Sequence, residues 1–319
     1  MKRITTQFNR RIPIQKVRGE LGEFKKNSPL TLLALPAIVL MFIFSYLPLY
    51  GLILPFQNYS PITGALHSPL VGLKNFEFLF KTGTIWPVVL RTVAYNLTFL
   101  VLGTIVAVFI ALLLFELNGG AQKFYQSTLL IPYFLSWVAV SYIVNTLLDI
   151  DHGMFNRIIT AFGGERVLWY NDPKHWPIIL ILLNTWKGMG YNGVVYLAAL
   201  TGLDSEYFEA AKIDGASKLK QIWHISLPMI RPIVVMMTIL NLGNMLRGDF
   251  GLFYNVTMDS PLLYPATDVV DTYVYRSLMS ISDIGMSSTT GFIQSVVGFI
   301  LVLGTNLIVN RIEPESSLF

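Results

Sequence analysis

The sequence predicts an all-α integral membrane protein with six transmembrane helices. Hydrophobic residues make up 53% of the 319-residue chain and charged residues only 13%, which is about half the charged fraction of a soluble protein. A soluble domain of this size would need more charge to cover its surface, so the bilayer must be part of the solvent. The apolar residues are also concentrated in six runs, as expected for repeated crossing of a membrane.

Each apolar run approaches the roughly 20 residues that a spanning helix needs. The first and last are the plainest, the third is short, and the fourth contains one charged residue, Lys187. The first is too long for the hydrophobic region of a signal peptide, so we interpret it as a span. The six runs are residues 30–55, 88–115, 127–147, 176–202, 229–246 and 291–310.

The charges predict the orientation of the chain. Residues 1–29 form a basic arm, residues 30–311 a single transmembrane domain and residues 312–319 a short tail. With the N-terminus inside, the inner segments hold about twice as many Lys and Arg residues as the outer ones, which is the bias of cytoplasmic loops. Both termini are therefore predicted to be cytoplasmic. Topology already explains the basic arm, so nucleic-acid binding is not expected.

The loops add two expectations. The outer segment 247–290 is predicted to hold a short helix near residues 268–279, where Val269, Tyr273 and Arg276 recur at helical spacing. The chain has no cysteine, which excludes disulfides and thiolate metal sites. The histidines show no metal-binding spacing, so no metal site is predicted.

The inner loop at residues 204–228, between the fourth and fifth spans, has a pattern of its own. Asp204 or Ser205 can cap a helix, and the acidic residues that follow suit the positive end of the helix dipole. Ala210 and Ala211 then make a slim and strongly helical stretch, which another protein can approach closely.

The second half of this loop is predicted to end the first helix and to begin a new one. Gly215 tolerates the left-handed conformation that ends helices. Residues 218–223 predict a short amphipathic helix with Leu219 on its apolar side. Pro228 suits the first turn of the fifth span. We therefore predict a helix–glycine–helix element against the inner face of the membrane.

The loop resembles the EAA signature of ABC importer permeases. The signature reads here as Glu-Ala-Ala, three residues, Gly, nine residues, Ile, one residue and Leu-Pro, beginning at Glu209. In that family the loop forms a coupling helix that sits in a groove of a cytoplasmic ATPase. The resemblance implies that the ATPase-coupling residues are Glu209, Ala210, Ala211, Gly215, Leu219, Ile225, Leu227 and Pro228.

Two further segments, residues 268–276 and 291–295, resemble the LplB-type polysaccharide permeases, a branch of the maltose-type carbohydrate importers. The resemblance implies the type I importer fold and a multi-pass protein of the bacterial cytoplasmic (inner) membrane. It also implies an oligo- or polysaccharide solute, moved into the cytoplasm by alternating access. The chain is thus expected to be a permease subunit and not an enzyme.

The same resemblance implies the partners. They are a second homologous permease subunit, two ATPase subunits, an extracytoplasmic solute-binding protein and the membrane lipid. The sequence lacks the Gly-x-x-x-x-Gly-Lys-Ser/Thr phosphate loop. ATP and Mg are therefore expected on the partner ATPase, with no cofactor in this chain.

Polar residues inside the spans are the candidates for the solute pathway, because they are costly in a bilayer. Asn184, Lys187 and Tyr191 share one face of the fourth span, and Asn241 and Asn244 share one face of the fifth. Hydrogen bonding between helices is an equally good explanation of the asparagines. A cationic Lys187 in a cavity would also suit acidic sugars, such as uronate oligomers.

Two other classes of protein remain as alternatives. An ion-coupled secondary sugar transporter would need an acidic residue within the membrane, but Glu116 and Asp149 lie only at span ends. A membrane enzyme acting on lipid-linked sugars would need paired acids or a metal cluster near the surface, and the sequence offers no convincing set.

Overall fold

A computed structural model describes residues 28–81, 83, 85–281 and 284–312. Most of the predicted basic arm and of the predicted C-terminal tail lies outside these described residues. The described chain is almost entirely helical and contains no strand, apart from one isolated antiparallel bridge between Gln57 and Leu70.

The chain divides into two compact units, Met1–Ile53 and Leu54–Phe319. In the first unit, helix α1 (Ser28–Met41) continues into a π-helical segment, Phe42–Tyr46. Neither element has a buried residue, and their large apolar side chains are exposed along the whole length. Such a surface requires an apolar solvent, as expected of a membrane helix.

The second unit is a helical bundle. We number its main helices α2 to α12 in chain order. They are α2 Lys74–Lys81, α3 Ile85–Phe115, α4 Gly119–Phe134, α5 Trp137–Leu147, α6 Met154–Ala161, α7 Trp176–Thr201, α8 Ser205–Ile213, α9 Lys218–Gln221, α10 Leu227–Leu242, α11 Val270–Ile281 and α12 Ile284–Ile312. Single turns and irregular helical segments of this unit lie at Gly64–His67, Pro173–His175, Ile222–Ser226, Gly251–Val256, Pro261–Leu263 and Tyr264–Thr267, and the 3-10 segment Leu47–Phe56 contains the boundary between the two units.

Four of the predicted spans appear as long apolar helices in the described part of the chain: Ser28–Phe56, Ile85–Phe115, Lys218–Leu242 and Ile284–Arg311. They correspond to the first, second, fifth and sixth predicted runs. The fourth predicted run, residues 176–202, corresponds to α7. This helix has 26 residues and so has the length to cross a bilayer at about 1.5 Å per residue. It is more polar than the four long apolar helices. The predicted helix near residues 268–279 is confirmed as α11.

The third predicted span, residues 127–147, is not one straight helix. It is a pair, α4 and α5, bent by 91° at the break between Phe134 and Trp137. Leu135 and Ser136 both have extended backbones there, and the Ser136 side chain accepts a hydrogen bond from the backbone N–H of Ala139. Ser136 therefore caps a new helix instead of continuing the old one.

The predicted second helix of the inner loop is also different. Helix α9 does not stand alone, because it continues through the π-helical segment Ile222–Ser226 into α10 and forms the first part of the spanning helix. Pro228 lies in the first turn of α10 and has no N–H to donate to the preceding turn. A π segment is a common accommodation of such an interruption.

Helices α3 and α7 pack along each other and bury two apolar clusters. One joins them to α10 near the inner loop and is built around Ala107, Ala111, Tyr196, Leu197, Leu200 and Ile230. The other joins them to α5 and the Gly251–Val256 segment and is built around Tyr95, Val140, Trp176, Leu180, Leu252 and Phe253. The bundle therefore has a core toward each end of α7.

Glycine allows α7 to approach α4 closely. A Cβ atom at Gly190 would lie 1.9 Å from the carbonyl oxygen of Leu129, a backbone atom of α4 that cannot move aside. Membrane helices commonly use such small residues where their backbones meet, because lipid gives no hydrophobic force to bring helices together.

We expect Gly190→Ala to separate α4 from α7 and to lower the thermal unfolding midpoint of the protein in detergent by several degrees, since overpacking typically costs about 1–3 kcal/mol. The matched control is Gly188→Ala on the same helix, where the new Cβ would lie 3.5 Å from the Asn192 side chain. The control should leave the midpoint unchanged or slightly higher. Equal midpoints for the two variants would contradict the close contact.

Candidate functional site

A polar cavity of about 360 Å³ lies between α3, α7 and the C-terminal end of α10. Its volume is at the lower end of the range for ligand pockets. Its lining residues are Asn96, Phe99, Leu100, Gly103, Thr104, Asn184, Asn192, Tyr196, Met237, Asn241, Asn244, Arg247, Gly248 and Asp249. Three of the five predicted pathway residues are thus brought together: Asn184 from α7, Asn241 from α10 and Asn244 from the turn that follows α10.

Two of the cavity asparagines hold the wall in place. The Asn96 amide donates to the carbonyl oxygens of Met245 at 2.9 Å and Arg247 at 2.8 Å, which ties α3 to the segment after α10. The Asn241 amide donates to the Met237 carbonyl within its own helix at 2.9 Å. These contacts leave the amide oxygens of both side chains to accept further hydrogen bonds.

The other three asparagines have free amides. Within the described residues, the side chains of Asn184, Asn192 and Asn244 form no hydrogen bond with a protein group. Hydrogen bonding between helices therefore does not account for them. Each amide presents two N–H donors and one acceptor, which is the complement of a ligand with several hydroxyl groups.

Lys187 and Tyr191 lie at the bend between α4 and α5, outside the cavity lining. The Lys187 ammonium donates to the carbonyl oxygens of Tyr133 at 2.7 Å and Leu135 at 2.6 Å. It also lies over the Trp137 ring, 5.3 Å from the centroid. Tyr191 stacks on Tyr133 with ring centroids 4.5 Å apart. The carbonyls at a helix C-terminus lack partners and carry partial negative charge, so Lys187 stabilises the broken end of α4.

The bend also builds one wall of the cavity. The Trp137 indole N–H, in the first turn of α5, donates to Asp249 Oδ2 at 2.7 Å. Asp249 Oδ1 accepts from the backbone N–H of Leu252 at 3.2 Å. Both oxygens of the Asp249 carboxylate therefore have donors.

Behind the same wall lies Asp271 of α11. Its carboxylate accepts hydrogen bonds from the backbone N–H of Gly248 and, at 3.3 Å, from the amide of Gln294 on α12. Burial raises the pKa of Asp271, and the Gly248 and Gln294 hydrogen bonds and the charge of Arg247 offset only part of that increase. Asp271 thus fixes the short turn that carries Arg247 and Asp249.

A second ion cluster holds the outer segment against α11. Arg276 pairs with Asp259 at 3.1 Å and with Asp268, and its guanidinium lies 3.8 Å from the centroid of the Tyr264 ring. Burial lowers the pKa of Arg276, but the hydrogen bond and charge of Asp268 outweigh burial and hold the pKa above its usual value. The cluster is mostly buried and satisfied internally, which indicates a structural role.

The inner loop forms a well-defined helix end. Asp204 caps α8, because its carboxylate accepts from the Glu206 N–H at 3.0 Å. At the other end Gly215 has φ of +75°, and the N–H of Ala216 donates to the carbonyl of Ala211 at 2.8 Å. This pattern is a Schellman motif, which requires the left-handed conformation that glycine adopts most easily. The predicted stop at Gly215 is confirmed.

Two contacts attach this loop to the inner end of α3. Lys218 forms an ion pair with Glu116, and the Phe208 ring packs against Phe115 with centroids 5.6 Å apart. Several large apolar side chains of the loop are instead exposed. Ile213 is 86% exposed, and Tyr207, Leu219 and Trp223 are also exposed, as are Glu209 and Ala210. We call these six residues the coupling surface.

Residues 154–314, which include the inner loop, α10, α11 and α12, match the family described as the binding-protein-dependent transport system inner membrane component. The chain belongs to this family. It is therefore a membrane-embedded permease subunit of an ABC transporter, and not an enzyme, as the EAA signature predicted. The expected location in the inner membrane follows from the same match.

Curated relatives match almost the whole chain. The polygalacturonan/rhamnogalacturonan transport system permease protein YteP of Bacillus subtilis (strain 168) is 35% identical, with 90% of this chain and 89% of that protein covered. Protein LplB of the same organism is 31% identical, with 92% of each chain covered. The predicted resemblance to the LplB-type branch is confirmed.

Solved structures of the bacterial alginate ABC importer have the same fold. One is a complex with an alginate pentasaccharide-bound periplasmic protein, and it matches with a TM-score of 0.81 and 28% identity over 91% of this chain and 97% of that one. Another, an importer of the acidic polysaccharide alginate, matches with a TM-score of 0.83 and 28% identity over 92% and 99% of the two chains. The predicted fold class is thereby confirmed.

Several site residues were absent from the predicted pathway. Asn96 and Asn192 lie inside predicted spans, so their polarity alone could have identified them. Arg247 and Asp249 lie beyond the end of the fifth predicted span, in the predicted outer segment 247–290. Only the fold of the chain after α10 places them beside α3 and α7. In the described part of the permease, no cluster of metal-binding side chains was found.

We expect Lys187→Met to loosen the bend, because the carbonyls of Tyr133 and Leu135 lose a charged donor, and hydrogen bonds to charged groups contribute about 1.5–3 kcal/mol. The measurement is the thermal unfolding midpoint in detergent, which should fall. Lys174→Met, at an exposed lysine in the outer loop, is the matched control and should have no effect. A Lys187→Met permease as stable as the control would show that the bend does not need this cation.

Proposed function

We propose that this permease is the transmembrane subunit of an ATP-driven importer that moves an oligo- or polysaccharide into the cytoplasm by alternating access. The observation that carries the proposal is that the same two helices, α7 and α10, line a polar cavity and also connect directly to the coupling surface. Movement of the inner loop by an ATPase is then transmitted to the cavity through continuous helices.

The chemistry of the cavity supports a carbohydrate solute. A sugar presents many hydroxyls, and the free amides of Asn184, Asn192 and Asn244, with the amide oxygens of Asn96 and Asn241, can both donate to them and accept from them. Relatives are named for polygalacturonan/rhamnogalacturonan transport, and the solved structures are of an importer of the acidic polysaccharide alginate. The solute of this permease is accordingly a carbohydrate chain.

The coupling surface supports the ATPase partnership. Exposed apolar residues on an inner loop are the usual mark of a protein interface, and the chain has no phosphate-binding loop of its own. Two ATPase subunits, which bind ATP and Mg, would receive the loop of this chain and that of a second homologous permease. Glu209, Ala210, Ala211 and Gly215 would shape the contact, and Ile225, Leu227 and Pro228 would transmit it into α10.

The orientation follows from the same proposal. The coupling surface must be cytoplasmic to meet an ATPase, which places both termini in the cytoplasm, in agreement with the bias of Lys and Arg toward the inner segments. The loops at the opposite end of α7 are then extracytoplasmic. They would receive solute from an external solute-binding protein.

Purification of the tagged permease in mild detergent from its native membrane tests this proposal. A second permease and an ATPase should co-purify, and solute-loaded binding protein should increase ATP hydrolysis. If the chain instead purifies alone and transports sugar in proportion to a proton or sodium gradient, it is an ion-coupled secondary transporter and the proposal is wrong.

We expect Ile213→Glu to reduce co-purification of the ATPase by about tenfold or more, because a charge would be desolvated at an interface that this side chain enters. Its 86% exposure means that the fold itself should tolerate the change. Ile62→Glu, at an outer-segment isoleucine that is 96% exposed, is the matched control and should retain the ATPase. Equal retention by both variants would exclude the coupling surface as the contact.

A further inference from the structure

The charges of the cavity differ in how far they are already neutralised. Among its lining residues, Arg247 is the only base and Asp249 the only acid. Both side chains follow the end of α10 and are exposed in this chain. The two charges therefore differ not in burial but in the number of partners that the fold gives to each.

Asp249 is explained by the protein itself. The Trp137 indole and the Leu252 backbone each donate to one of its oxygens. The nearby Asp271 is explained in the same way, since the Gly248 backbone and the Gln294 amide donate to it. N–H groups of the fold thus reach both oxygens of Asp249 and Oδ2 of Asp271.

Arg247 is not explained in this way. In the part of the chain that the structure describes, it forms no salt bridge, and its one side-chain hydrogen bond is to Ser295 Oγ at a long 3.4 Å. The charge of Arg247 acts on the nearby Asp271 carboxylate, but that carboxylate accepts its hydrogen bonds from Gly248 and Gln294. A guanidinium has five N–H donors in a planar fork that matches a carboxylate. Most of these donors are therefore available at the cavity wall, close to the free amide of Asn244.

We propose that Arg247 binds a carboxylate of the solute and makes this permease selective for acidic over neutral oligosaccharides. The amides of Asn184, Asn192 and Asn244 would bind the hydroxyls of the same sugar units. This inference rests on the proposed function and adds the residue that determines solute class. It also replaces Lys187 as the cation that meets an acidic sugar, since the donors of Lys187 are used by the carbonyls of the bend.

The test measures equilibrium binding to the purified complete transporter, without nucleotide and without the solute-binding protein, so that selection by that protein does not contribute. The probes are radiolabelled tri-galacturonate and the same trisaccharide with its carboxyls reduced to alcohols. The two have the same linkages and ring hydroxyls and differ in charge, and equilibrium dialysis gives a Kd for each.

The wild-type complex should prefer tri-galacturonate. Arg247→Gln should weaken tri-galacturonate binding by about tenfold, corresponding to about 1.4 kcal/mol, and should change binding of the reduced probe by less than about twofold. Arg247→Lys should keep part of the preference, because lysine retains the charge but not the fork. Arg157→Gln, the same substitution on exposed helix α6, should leave both constants unchanged.

Three outcomes would overturn the inference: no preference in the wild-type complex, an equal loss of both probes in Arg247→Gln, or an unchanged preference in that variant. Thermal unfolding and ATPase co-purification are measured on every variant. If Arg247→Gln fails to fold, a folded Arg247→Lys complex without acid preference overturns the inference by itself. Failure of the wild-type chain to retain an ATPase would instead refute the proposed function.

Discussion

The lack of water in a bilayer is the constraint on which this structure depends, because a helix that breaks there must find partners for its freed backbone groups inside the protein. The 91° break between α4 and α5 meets that requirement through Lys187, whose ammonium donates to the carbonyls at the end of α4. The break in turn sets the direction of α5 and brings Trp137 to Asp249. One wall of the cavity is thus built on a satisfied helix end.

Two of the helices that line the cavity, α7 and α10, also lead to the inner loop. Helix α7 lines the cavity and ends just before α8, and α10 begins at the inner loop and ends at Leu242, next to the cavity. The Schellman motif at Gly215 and the ion pair between Lys218 and Glu116 make the loop a firm attachment rather than a loose connection. A displacement of α8 therefore acts on both helices together.

Much of this arrangement could be predicted from the sequence. Composition identified the membrane class, and polar residues that share a helix face within the apolar runs identified five pathway candidates. The spacing of Glu209, Gly215 and Pro228 was enough to identify the family. The break at Leu135 and Ser136 was not predicted, because residues 127–147 carry no charge and read as one apolar run. Pro132 and Ser136 mark the break in the sequence, but both residues also occur within intact membrane helices.

The two cations near the cavity illustrate why pathway residues need tertiary structure. Lys187 lies inside a predicted span and Arg247 lies beyond one. Because a charged side chain is costly inside a bilayer, the sequence favoured the lysine as the residue of the solute pathway. In the folded chain the Lys187 ammonium donates to a carbonyl at the break between α4 and α5, whereas the turn after α10 places Arg247 at the polar cavity. That return depends on Asn96, which holds the carbonyls of Met245 and Arg247, and on Asp271, which holds the N–H of Gly248. The position of Arg247 is therefore set by two elements distant from it in sequence, α3 and α11, and no local pattern could have identified it.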